Sequence, residues 1–90
     1  MATTGNGADE LAMGIRAFQK GLYAEAHDKL LTFAEEGDLR AQMIMARLYY
    51  AGNGVEKNHE KYVYWLQKAA DSGDKASKSQ LKRLKKRGQI

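Results

Sequence analysis

Apolar residues recur along this chain at intervals of three and four, the period of a helix buried on one side. From Ala8 onward, Leu11, Gly14 or Ile15, and Phe18 share a face, and Lys20-Gly21 closes the stretch with a residue suited to a left-handed cap. A second helix is predicted from about Tyr23 to Glu36, with Ala26, Leu30, Phe33 and Ala34 on its buried stripe. Gly37 ends it, and Asp38 is an amino-terminal cap for a third helix over roughly 39–51, carried by Ala41, Ile44, Met45, Leu48 and Tyr49. After the turn AGNGVEK, Asn58 caps a fourth helix to about Ser72, whose apolar set includes Tyr62, Trp65, Leu66 and Ala69. Gly73-Asp74 then repeats the Gly37-Asp38 boundary, and a fifth helix covers about 75–87 on Leu81 and Leu84. The opening MATTGNG, residues 1–7, is small, polar and glycine-rich, and is expected to be a disordered arm.

The boundaries recur. Gly37-Asp38 and Gly73-Asp74 lie 36 residues apart, and the same offset carries Phe33-Ala34 to Ala69-Ala70, Met45 to Leu81 and Leu48 to Leu84. Upstream the offset is 32, taking Met13-Gly14 to Met45-Ala46 and Phe18 to Tyr50. The four-residue difference falls where the short Lys20-Gly21-Leu22 turn gives way to the longer glycine loop. A two-helix repeat of this length marks a helical solenoid, in which stacked units bury faces that no unit buries alone. The expected fold is therefore all-α, a short superhelix of about five antiparallel helices in one domain over residues 8–87.

Composition adds limits. The chain has no proline and no cysteine, so helices run uninterrupted and neither disulfides nor thiol chemistry are available. Its apolar runs are far shorter than the roughly 20 residues that span a bilayer. No secretory signal is visible either, which points to the cytoplasm, with the periplasm open if a signal was removed. Charge changes the picture more. Residues 1–45 hold four Lys/Arg against seven Asp/Glu, residues 46–90 hold eleven against four, and the last sixteen residues carry seven cations and no acid.

The segment AQMIMARLYYAGNGVEKNHEKYVYWLQKAADSG closely resembles a Sel-one-like repeat, a relative of the tetratricopeptide repeat. Ala41, Tyr49, Gly52, Gly54, Val55, Trp65, Ala69, Ala70 and Gly73 meet the family pattern in one register, including its G-x-G-V loop and its W-x3-A-A run. Met45, Ala46 and Asn58 replace leucine, glycine and aspartate conservatively. Tyr62 stands where the pattern has alanine, and either widens the contact between the two helices of the unit or adds an aromatic to its surface. By this resemblance residues 38–73 are one full unit, 8–37 a shorter degenerate unit before it, and 74–87 a basic capping helix after it. The resemblance implies a non-enzymatic adaptor of bacterial type that binds a protein or peptide through its concave face.

In the parent architecture the first helix of each unit lines that face. The register puts Leu11, Ile15, Phe18 and Gln19 there from the first unit, and Arg40, Met43, Arg47 and Tyr50 from the second. Aromatic, methionine and arginine side chains are the types enriched at binding hot spots. A partner is one expected cover for this face; the fifth helix or the amino-terminal arm folding back is the other. The basic tail, with Lys75, Lys78, Lys82, Arg83, Lys85, Lys86 and Arg87, is a candidate patch for an acidic protein or, less favoured, nucleic acid. As a solvated terminal helix whose cations complement its dipole it needs no partner at all. Opposed charges at the two ends also allow head-to-tail self-association. Chemistry is not expected. His27 and His59 lie on different helices with no further imidazole or thiol, so no metal site, cofactor site or nucleophile–base pair is suggested. Gly52-Asn53-Gly54 follows a helix and lacks the Lys-Ser/Thr of a phosphate loop, which leaves it a turn.

Overall fold

The computed structural model describes the backbone of residues 6–90. Five helices follow one another: α1 (Asn6–Gln19), α2 (Tyr23–Glu35), α3 (Leu39–Ala51), α4 (His59–Asp71) and α5 (Lys75–Lys86). Among the described residues there is no strand. Residues 1–5 of the expected arm lie outside the described residues. Asn6 and Gly7 instead open α1, two residues ahead of Ala8, and Asp9 in its first turn complements the positive end of the helix.

The repeated Gly-Asp boundary is repeated geometry. Gly37 and Gly73 both sit at φ 106°, a region open to glycine. At the first boundary Gly37 donates to the Ala34 carbonyl and Asp38 N–H to Phe33; at the second Gly73 donates to Ala70 and Asp74 N–H to Ala69. Each aspartate then caps the following helix, Asp38 accepting from Ala41 N–H and Asp74 from Ser77 N–H, both at 2.9 Å. Asn58 caps α4 in the same manner through Lys61 N–H.

The longer loop after α3 has a structural purpose. Asn58 N–H returns to the Tyr49 carbonyl, and the loop between them leans back on the preceding unit. Gly54, at φ 71°, rests against the start of α2 so closely that a Cβ there would strike the backbone of Tyr23 and Ala24. The four residues that distinguish the two repeat offsets therefore tie the second unit to the first.

Each helix packs on the next in sequence, and α1 also touches α3; among the described residues no other pair of helix backbones meets. The result is elongated, 50 × 25 × 17 Å. The core runs along it, with Leu30, Met45 and Leu48 fully buried and Trp65, Leu66 and Leu84 nearly so. Gly14 lets α1 and α2 approach: a Cβ on it would lie 2.6 Å from the Leu30 side chain. One buried polar side chain crosses this core. Gln42 donates to the Ala34 carbonyl at the end of α2 and accepts from Ser72 Oγ at the end of α4, bracing the two second helices together. Among the described residues no buried side-chain nitrogen or oxygen lacks a partner, and no helix is long and apolar enough to cross a membrane.

Candidate partner-binding groove

The first helices of successive units, α1, α3 and α5, line one face. A groove of about 570 Å³ lies along it, between Phe18 at the end of α1, Met43, Ala46, Arg47 and Tyr50 on α3, and Ala76, Ser77, Gln80 and Arg83 on α5. Tyr62 and Leu66 of α4 form part of its lining. A second hollow of about 330 Å³ continues beyond Phe18 and Met43 to Ile15, Gln19 and Arg40. Seven of the eight residues expected on the concave face thus border one or both of these hollows, which share Phe18, Met43 and Arg47. Leu11 does not: it packs against the core at the far end of α1.

The groove is open. Tyr50 is 60% exposed, while Phe18 and Met43 are half-buried. Helix α5 stands beside the depression as a wall and does not fold over it. The amino-terminal arm, the other expected cover, begins outside the described residues.

Tyr62 explains part of the shape. Its ring is buried, lies 5.0 Å from that of Tyr50, and its hydroxyl accepts a long hydrogen bond of 3.4 Å from Gln80 Nε2. A side chain as small as alanine would reach neither neighbour. Tyr62 therefore spaces α3, α4 and α5 together and supports the exposed Tyr50 from behind.

The basic tail divides in two. Arg83 faces the groove, its Nε and Nη2 both donating to Gln80 Oε1 at 3.0 and 2.8 Å. Lys75, Lys78, Lys82, Lys85 and Lys86 are exposed away from it, and Arg87 borders a smaller hollow with Tyr50, Tyr62, His59 and Gln89. No carboxylate lies within 4.0 Å of any of these seven cations among the described residues. Reading the tail as one patch conceals Arg83 as a groove residue. The repeat contained the signal: the offset of 36 that carries Leu48 to Leu84 carries Arg47 to Arg83. The contributions of Tyr23, Tyr62 and Leu66 came from second helices and had no such marker.

The two histidines are accounted for by local bonds. His27 Nε2 shares a 2.9 Å hydrogen bond with the Tyr49 hydroxyl, and His59 Nε2 donates to the Gln89 carbonyl at 2.7 Å. Among the described residues no three His, Asp or Glu side chains gather where a metal could bind. Compared with family models, with curated proteins and with solved structures, the chain finds no match.

Proposed function

We propose that this protein is a non-enzymatic adaptor of the Sel-one-like repeat kind, working in the cytoplasm and binding a protein or peptide along the groove formed by α1, α3 and α5. The supporting observation is the composition of that groove. Phe18, Met43 and Tyr50 offer apolar and aromatic surface that the described residues leave uncovered, beside Arg47 and Arg83. Such side chains at the centre of a depression are the ones on which binding energy concentrates.

The test separates the groove from the outer cations of α5. A pull-down from the native host uses the unaltered chain, the groove variants Met43→Glu and Tyr50→Ala, and a tail variant with Lys78, Lys82, Lys85 and Lys86 changed to glutamine. Capture is expected to survive the tail changes. Tyr50→Ala is expected to weaken it by about 2 kcal/mol or more, the usual cost of truncating a central aromatic. Loss in the tail variant with both groove variants harmless would overturn the proposal in favour of a nucleic-acid or acidic-surface binder through α5. Sedimentation of the purified chain across salt addresses self-association, since pairing of an acidic front with a basic back weakens as ions screen it.

A further inference from the structure

We infer that the segment held in this groove is acidic, a peptide whose carboxylates flank an apolar anchor. The inference rests on the groove being the binding site and names the chemistry of its occupant.

Three arginines follow the depression: Arg40 and Arg47 about two helical turns apart on α3, and Arg83 on α5. None has a carboxylate within 4.0 Å among the described residues. The groove has one acid in its lining, Asp74, and that carboxylate is already engaged, accepting from Ser77 N–H and from Ser77 Oγ at the start of α5. Three guanidinium groups against this one carboxylate leave the lining net positive. Arg83 is also held in place, because Gln80 Oε1 takes two of its N–H groups and the rest remain to receive an anion. A fixed guanidinium gives up less freedom on binding a carboxylate than a free one.

Between the arginines the surface is apolar, with Met43, Ala46, Ala51, Leu66 and Ala76. This combination selects a peptide over a nucleic acid strand. Stacking of successive bases uses a row of exposed aromatic faces, whereas Tyr50 is the one exposed aromatic in this lining, Phe18 and Tyr23 being half-buried and Tyr62 buried. The lysines that could follow a phosphate backbone are exposed outside the groove. Carboxylates on either side of a leucine or phenylalanine would satisfy the arginines and fill the apolar stretch together.

A displayed library of random dodecapeptides tests this, selected separately on the unaltered protein, on Arg47→Gln/Arg83→Gln and on Met43→Glu. Both arginines are exposed, so the double variant is expected to keep its helical circular dichroism. Peptides selected on the unaltered protein should be enriched in Asp and Glu beside Leu, Phe or Met. In fluorescence anisotropy the best of them, labelled, should lose roughly tenfold in affinity for each arginine removed, the usual scale for a hydrogen bond to a charged group. The double variant should still select apolar anchors while its preference for acids disappears. Enriched peptides that depend on Met43 but carry no excess of acids would overturn this inference and leave the groove as the binding site. Peptides no weaker on Met43→Glu would overturn the groove itself. Tight binding of a labelled decamer of deoxythymidine, lost in the double variant where no acidic peptide was selected, would assign the arginines to nucleic acid instead.

Discussion

At the scale of single residues, Gly54 gives the most direct check on how the units are joined. Gly21 and Gly54 both adopt positive φ, 81° and 71°, so alanine at either meets the left-handed penalty of about 1–2 kcal/mol. Only Gly54 would also drive a Cβ into the backbone of α2, whereas Gly21 faces open space. In urea unfolding, Gly21→Ala is expected to cost about 1–2 kcal/mol, and Gly54→Ala about 1–3 kcal/mol more, the range for a forced core overlap. Equal costs would mean that the loop does not bear on the first unit. Gln42 shows where reading the sequence stops at this scale. Glutamine inside an apolar helical stripe looks like a surface position, and its role depends on the ends of α2 and α4 arriving side by side. No local spacing reports that meeting. Arg83, by contrast, was readable from the repeat offset, and was hidden only by the cations around it.

At the scale of elements, the boundaries were legible because each is written by chemistry local to it. Gly37-Asp38 and Gly73-Asp74 bring their stop and start signals within two residues, and the structure places α3 and α5 directly after them. All five described helices fall within two residues of expectation, α1 being the one extended, since composition alone places Asn6 and Gly7 with the polar arm. The orientation of α5 was less legible: its position as a wall of the groove comes from packing on α4 through Leu84, not from its own sequence. The paired caps allow a controlled comparison. Replacing Asp38 or Asp74 by alanine removes the same hydrogen bond to the helix, worth about 1 kcal/mol. Asp38 lies between helices packed on both sides, so Asp38→Ala is expected to lower the melting temperature of the domain by about 4–8 °C. Asp74→Ala should instead loosen α5 alone, read as faster amide exchange in α5 with little change in the melting temperature.

For the whole molecule, the pattern of neighbours dictates how stability is shared. Among the described helices α5 packs on α4 alone, so its attachment is a terminal interface of a linear array. Leu84, 4% exposed, is its main buried anchor. Leu84→Ala is expected to remove about 2–5 kcal/mol from that interface. Hydrogen exchange should then show α5 opening by itself while amides around Met45 and Leu48 keep their protection. Simultaneous loss of protection in α3 would mean that the helices act as one cooperative block. The same linear arrangement bears on the groove in another way. Arg47 and Arg83 belong to helices whose backbones do not touch, and α4 is the only bridge between them. The spacing of the two arginines is thus set through α4. A segment held by both arginines, as proposed, would act as a splint, joining from the outside two helices that the fold connects through α4.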